Sequence, residues 1–372
     1  MRMKKQIIVV LLILMAMMAI SGCVSAGSKK AWSFTIEGNL SQIVNDTLYD
    51  RLINCSQDSD GITGIPLEIF LYYYGVYPVT SVSFGGTTYN WTNVALSADQ
   101  DRVVLVTENG SIYFNGNVTR VGNVDAGVTA RPGVSTLDIK PSISYALGID
   151  KTRSGIVPSE ERQVVLVYID AFGYQRYENS LHEGLIANIS SLGEPIKAIC
   201  EYPSVSQVNA KAMVTGLPAD LVKGDFRSYN PSGETVLDVI NDQGKKAEWV
   251  DGITAPVSVN STIYNMDANG NGTEDDEAMD AAVKEYRKGA GLIVVHLDDT
   301  DSSMHRYGPY SPQGKASVKL ADALVGEMMS NMSTGTVLIV WADHGCHQSG
   351  NAGDHGTLLP DDMYIPIFVR RF

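Results

Sequence analysis

The chain is poor in positive charge: 28 lysines and arginines stand against 42 aspartates and glutamates, a formal net charge of -14 over 372 residues. No basic stretch offers a row of phosphate contacts, which argues against nucleic acid as a bound partner. A phosphate held through a metal is not excluded by that deficit. Cysteine is scarce too, at four. With Cys23 set aside, Cys55, Cys200 and Cys346 are odd in number and far apart, so there is no disulfide framework and at most one bridge. The apolar run from Ile7 to Ile20 is 14 residues long, short of the roughly 20 that an ordinary membrane span requires. No internal repeat is visible.

What is present begins with an address. Arg2, Lys4 and Lys5 precede the apolar run and Ser21-Gly22-Cys23 follows it, the arrangement of a signal peptide over residues 1–22. Cys23 resembles the lipid-modified cysteine of a lipoprotein box. The expectation is an exported protein, anchored by a lipid on Cys23 to the outer face of the cytoplasmic membrane, with residues 23–31 as a tether. Loss of the leader moves the formal charge from -14 to -17. Ten Asn-x-Ser/Thr sequons, from Asn39 to Asn331, fit a displayed and glycosylated surface.

Residues 32–120 alternate short β-like runs, such as Val79 to Phe84 and Ser111 to Phe114, with turn signals such as Gly85-Gly86 and Asn109-Gly110. They read as a small β-rich domain. Gly64 to Phe70, Gly75-Val76 and Val79 to Phe84 loosely resemble part of the molybdopterin-binding fold of sulfite-oxidase-like enzymes. The cofactor-ligating cysteine region is not recognisable, which implies a structural or docking role. Residues 121–161, with Gly127, Pro132, Gly133, Pro141, Gly155 and Pro158, read as a linker. From 162 to 372 strand and helix patterns alternate. The predicted fold is α/β, a doubly wound, mostly parallel sheet behind the smaller β-rich domain.

Three apolar runs in that region each end on acid: Val164 to Ile169 before Asp170, Leu292 to Val295 before Asp298, Asp299 and Asp301, and Val337 to Trp341 before Asp343. Buried parallel strands place ligand sites beyond their C-terminal ends, so these carboxylates are predicted to converge. Unscreened, they would repel each other by several kcal/mol, at roughly 4 kcal/mol per close pair. A cation relieves this. Five of the six histidines (His296, His305, His344, His347 and His355) fall among the same acids. Imidazole with carboxylate suits zinc, and also manganese or iron.

Ser206 sits where a predicted strand turns into a predicted helix, facing amide donors and the positive end of the helix dipole. Ser204 is a rival hydroxyl in the same turn. Together the pieces resemble the alkaline phosphatase superfamily, most closely its type I phosphodiesterase/nucleotide pyrophosphatase branch. The resemblance runs from about 163 to 372. It is carried by Tyr168-Ile169-Asp170-Ala171-Phe172-Gly173, by Tyr202 to Asn209, by Asp301-Ser302-Ser303-Met304-His305 through Gly308, by Asp343-His344-Gly345 and by Gly353-Asp354-His355-Gly356.

The resemblance implies two divalent cations, zinc by preference. One would be held by Asp170, Ser206, Asp343 and His344, the other by Asp301, His305 and His355. Ser206 would attack a phosphate ester and carry a phosphoseryl or nucleotidyl group, with Asn209 donating to a phosphate oxygen. His296 and His347 match no ligand position and read as supporting groups. The family often continues Pro-Asn-His after the nucleophile; Val208-Asn209-Ala210 lacks the proline and the histidine, which puts the shape of the phosphate pocket in doubt.

Rival readings are a catalytically dead surface scaffold, a metal-dependent phosphomutase and a sulfatase-like hydrolase. The last is disfavoured, because Cys200-Glu201-Tyr202-Pro203 sets the proline one place late and no arginine follows. Asp267 to Gly272 opens like a calcium loop, but position twelve is Ala278, so it reads as a solvated turn entering an acid-started helix.

Overall fold

The computed structural model describes residues 31–98 and 103–372. The expected leader and Cys23 lie outside the described residues. Three cysteines are described, and Cys55, Cys200 and Cys346 are all free and buried.

The N-terminal part holds two five-stranded sheets. Its strands are β1 (Ser33–Glu37), β2 (Gln42–Asn45), β3 (Gln57–Ser59), β4 (Ile62–Pro66), β5 (Val79–Phe84), β6 (Thr87–Asn90), β7 (Leu105–Thr107), β8 (Ser111–Phe114), β9 (Asn117–Arg120) and β10 (Asn123–Val128). One sheet has the order β2-β1-β10-β5-β6 and the other β3-β4-β7-β8-β9. β10 therefore lies between β1 and β5, so the β-rich unit runs past 120 and the expected boundary falls too early. The reason is its sequence: in Asn-Val-Asp-Ala-Gly-Val only Val124 is fully buried, so the period-2 pattern that marks a strand is weak. The segment expected as a linker also holds a helix, Ile139–Ala146, which buries Ile139, Ile143 and Ala146 and touches the helix that follows Ser206.

Three short helices interrupt the strands, among them Leu67–Tyr73, whose residues Leu67 to Leu71 are all buried. A short continuous apolar run does not declare its period, and here burial on every side made a helix of it.

The C-terminal part is built on seven strands: β11 (Gln163–Ile169), β12 (Ile196–Ile199), β13 (Ala247–Asp251), β14 (Thr262–Tyr264), β15 (Leu292–Leu297), β16 (Thr336–Ala342) and, after the small hairpin β17 (His347–Ser349) and β18 (Ala352–Asp354), β19 (Tyr364–Arg371). Their order is β12-β19-β16-β11-β15-β13-β14. β19 alone runs against the others, pairing antiparallel with both β12 and β16. This is the expected α/β, mostly parallel sheet. Every residue of β15 and β16 is buried, as expected of strands covered by helices on both faces. β19 contains Pro366, which hides it from sequence reading. Its pairing with β16 ends at Trp341 opposite Ile367, so the proline removes no bond on that side.

Two helices follow β11, Tyr174–His182 and Ala187–Ser190, parted at Gly184 with φ of 69°. The Asp267 turn closes on itself: the Asp267 carboxylate accepts the backbone N–H groups of Gly270, Asn271 and Gly272 ahead of the helix Asp275–Arg287.

Two glycines decide how closely the acid-bearing strand ends approach. A Cβ on Gly173 would lie 2.3 Å from the Cα of Gly345, and one on Gly345 would lie 1.9 Å from the Asp361 carbonyl oxygen. Only bare backbone lets the loop after β11 nest against the loop after β16. Gly345→Ala is expected to cost about 1–3 kcal/mol by overpacking, read as a lowered thermal midpoint. Gly133→Ala, with no atom within 4 Å of the added Cβ, serves as the neutral comparison.

Candidate active site

The C-terminal ends of β11, β15 and β16 deliver Asp170, the segment Asp298–Asp301, and Asp343-His344. Asp170 ends β11 at a strained corner, since Ala171 has φ of 51°, a conformation costing a non-glycine residue roughly 1–2 kcal/mol. The strain has a use: it turns the Ala171 N–H onto Asp343 Oδ1 at 3.2 Å. Arg176, 2% exposed, then fastens the corner by donating to the carbonyls of Ala171 and Thr300. The Thr300 hydroxyl closes the loop by donating to the Asp170 carbonyl at 2.5 Å.

The element expected around Asp301 and His305 is a helix, Asp299–Tyr307. Its pitch stacks residues four apart, so Asp301 Oδ2 lies 3.4 Å from His305 Nε2. Gly308, with φ of 90°, stops it.

Two groups result. In the first, His344 Nε2 lies 3.4 Å from Asp170 Oδ1 and 3.2 Å from Asp343 Oδ2, and Ser206 Oγ is 3.2 Å from the same nitrogen and 3.4 Å from Asp170 Oδ1. In the second, His305 Nε2 and His355 Nε2 face each other at 3.0 Å, with Asp301 Oδ1 3.5 Å from His355. The groups adjoin, for the His344 and His355 rings stack at 4.0 Å between centroids. All seven expected metal-site residues are thus brought together.

Tautomers give this arrangement its meaning. The Nδ1 atoms of His305, His344 and His355 face the backbone carbonyls of Gly353, Gly345 and Ser204 at 3.2, 2.9 and 2.8 Å. A carbonyl only accepts, so each Nδ1 carries a proton and each ring turns its Nε2 to the site, where the neutral form offers a lone pair. Two Nε2 atoms 3.0 Å apart beside a buried Asp301 Oδ1 that has no hydrogen-bond partner form a converging set of ligand atoms. Such a set fits a divalent cation.

Burial, then the facing Asp343 and Asp301, holds the Asp170 carboxyl well above the ordinary carboxylate range. Burial also raises Asp343 and Asp301. It acts in the opposite sense on the imidazoles, pushing His344 down to about 3 and His355 to about 4.

His296, expected as a supporting group, stands behind Asp170, with partners that the sequence did not name. His296 is wedged between Asp251 and Asp170, its Nδ1 3.1 Å from Asp251 and its Nε2 3.0 Å from Asp170 Oδ2. Burial works to lower its pKa, but both carboxylates outweigh it and raise the ring well above the histidine norm. Tyr168 donates to Asp343 Oδ2 at 2.7 Å, and the Trp249 indole N–H to Asp251 at 2.7 Å. Alternate inward positions on β11, β13 and β15 were the only available signal. His347 lies apart from both groups, bonded to Asp362 at 2.7 Å.

Asn209 is a correction. It is fully buried, its Oδ1 accepts the Glu201 N–H at 2.8 Å, and its Nδ2 donates to the carbonyls of Glu201 and Val205. Its amide is consumed in folding the turn before Ser206 and does not reach the cleft. Ser204 is also fully buried, donating to the Thr357 carbonyl at 2.9 Å, which leaves Ser206 as the accessible hydroxyl. No side chain caps the helix Ser206–Thr215, so its first amides remain free to meet an anion. The cleft outside holds about 750 Å³ and includes Ser206, Asp301, His305, His355 and Arg227 in its lining. Cys200 is sealed in the core with its thiol pushed well up by burial, unlike a modified catalytic residue.

Residues 231–365 match the type I phosphodiesterase / nucleotide pyrophosphatase family. The matched segment contains Asp301, His305, Asp343, His344 and His355. Among curated relatives, a phosphopentomutase of Clostridium kluyveri is 31% identical over 149 residues, 39% of this chain and 35% of the relative. The catalytic subunit of GPI ethanolamine phosphate transferase 3 of Mus musculus is 22% identical over 230 residues, 54% of this chain and 21% of the relative. The chain thus spans about a third or less of the length of these relatives. A solved protein of the alkaline phosphatase superfamily from Vibrio parahaemolyticus superposes with a TM-score of 0.43 at 17% identity, over 63% of this chain and 68% of that one.

The depressed His355 value has a measurable consequence. The unfolded chain takes a proton on this ring below about pH 6.5, the folded metal-free chain only below about 4. Metal-free protein therefore loses stability through His355 as pH falls across that window, by up to about 1.4 kcal/mol per pH unit. Denaturant unfolding of chelator-treated protein at pH 7 and pH 5 checks this. Relative to wild type, His355→Gln should gain at pH 5; an unchanged gap contradicts it.

Proposed function

We propose that this protein is a two-metal phosphoric ester hydrolase, a phosphodiesterase or phosphatase that works through Ser206. The observation that carries the reading is the pair of imidazole Nε2 atoms 3.0 Å apart, beside Asp301 and each fixed from behind by a backbone carbonyl. Asp170, Asp343 and His344 with Ser206 would hold one divalent cation, zinc or else manganese or iron; Asp301, His305 and His355 would hold the other. When bound, such cations acidify a nearby hydroxyl or water and neutralise charge on the phosphoryl oxygens.

The chain's own residues do the rest. Asn209 and Ser204 hold the turn so that the Ser206 hydroxyl faces the cleft. The uncapped amides at the start of its helix meet the phosphate oxygens. Ser206 Oγ forms a bond to phosphorus as the bond to the ester oxygen breaks, its proton passing to solvent and the leaving oxygen taking one up. Water then attacks phosphorus from the vacated side, the bond to Oγ breaks, and the serine regains its proton.

The similarity to phosphopentomutases favours a second reading, in which the phosphoryl group passes to another hydroxyl instead of to water. Release of inorganic phosphate separates the two. A surface scaffold without activity is opposed by the complete donor set.

Chelation should abolish turnover of p-nitrophenyl phosphate or bis-p-nitrophenyl phosphate, and added zinc or manganese should restore it. Ser206→Ala should lower kcat by about 10³-fold or more while costing less metal than Asp301→Asn, because Asp170, Asp343 and His344 stay in place. Chelated protein that retains full turnover would falsify the reading. We also propose export with lipid attachment at Cys23. The expected result is a membrane-fraction polypeptide that begins at Cys23 and carries added acyl mass; a soluble chain retaining Met1 speaks against it.

A further inference from the structure

We infer that the N-terminal β-rich part belongs to the catalytic apparatus, clamping the Ser206 turn through Tyr72 and Glu68; this rests on the hydrolase reading above. The two parts meet at the turn itself. Tyr72 donates to Glu201 Oε2 at 2.5 Å, and Tyr202 donates back to Glu68 Oε2 at 2.8 Å. The two tyrosine rings pack at 5.3 Å between centroids. Both bonds join the helix Leu67–Tyr73 to the residues four and five places before Ser206.

This pairing is reciprocal: each side supplies one phenol and one carboxylate. Glu201 is 1% exposed and Glu68 6%, so the bonds form where water competes little and a carboxylate left unpartnered is costly. The clamp is continuous with the turn's internal bonds, since the main chain of Glu201 is what Asn209 grips from the other side. Glu201 is thus held through its side chain by Tyr72 and through its backbone by the helix that carries Ser206. The same N-terminal part also walls the cleft, with Gln57, Pro66, Glu68, Ile69 and Val103 facing Ser206 and His355. Tyr72, Glu68 and Tyr202 are positioning residues, because they act on Ser206 through the backbone between.

The test uses the metal-loaded full chain and bis-p-nitrophenyl phosphate. Tyr72→Phe and Tyr202→Phe remove one hydroxyl each and keep the ring packing. Each should lower kcat about ten-fold, the scale of a slightly misplaced nucleophile, with KM within about two-fold of wild type. The double variant should add little, since both bonds hold one turn. Glu68→Gln, which keeps an acceptor for Tyr202, should lose less than Tyr202→Phe. Asn54→Ala removes another bond between the two parts, to the Val222 carbonyl, and should leave kcat unchanged.

Amide hydrogen exchange over residues 200–210 reads the clamp without turnover. It should quicken in both tyrosine variants and not in Asn54→Ala. Quickened exchange with no turnover in wild type would sink the hydrolase reading and leave the clamp standing. Unchanged exchange and kcat in the tyrosine variants, or an equal loss in Asn54→Ala, overturns the clamp.

Discussion

Mutual repulsion at the edge of the large sheet is the constraint around which the C-terminal part is arranged. Asp170 and Asp343 are buried with oxygen atoms near one another, the half-buried Asp301 shares His344 with them, and three imidazoles turn their Nε2 atoms toward this cluster. Two unit charges 4 Å apart repel by roughly 4 kcal/mol at an effective dielectric of 20. A chain free to relax would move such groups apart. This one is prevented from doing so by backbone: carbonyls fix the rings, glycines at 173 and 345 let the loops nest, and the strained Ala171 corner points an amide at Asp343. Rigidity of this kind keeps a donor set assembled before any cation arrives.

That arrangement also explains which parts of the site could be read in the sequence. Acid at the end of a long Val/Ile run is visible because strand length and burial write themselves into composition, and the position of Asp170, Asp301 and Asp343 follows. His305 is visible from its spacing to Asp301. Side-chain direction is not written that way. Asn209 stands in the family's pattern as a phosphate contact, yet here its amide faces inward to the backbone of Glu201. His296 read as a supporting group, but its partners, Asp251 and Asp170, could not be named because they come from two other strands. β10 and β19 escaped notice because their central residues, Asp125 and Gly127 in one and Pro366 in the other, break the strand pattern, and only tertiary pairing restores it.

The division between the two parts of the chain is weaker in the fold than in the sequence. The main hydrophobic core runs without interruption from Phe34 to Phe368, and Cys55 and Asn54 reach the carbonyls of Leu221 and Val222. An apolar contact alone would hold two bodies together without caring about register. The directional bonds of Tyr72 and Tyr202 add what apolar burial cannot, a fixed angle between the β-rich part and the turn before Ser206. A loose resemblance to a cofactor-binding fold over residues 64–84 says nothing about this role, since the residues that matter are those facing Glu201 and Tyr202.

The two donor groups differ in their access to water, and under the hydrolase reading this bears on the order of events. His344 and Asp343 are sealed, both at 0% side-chain exposure, whereas the His305 side chain is 43% exposed and lies along the cleft with Asp354 and Gly356. A nucleophile is best activated where water cannot compete for it, so Ser206 belongs with the sealed group. A leaving alcohol must depart and water must enter where the protein is open, which is the His305 side. An acceptor hydroxyl of a second substrate would have to use that same opening. The choice between hydrolysis and transfer therefore rests on what the walls of the cleft retain there, and those walls include Gln57, Glu68 and Val103 from the N-terminal part.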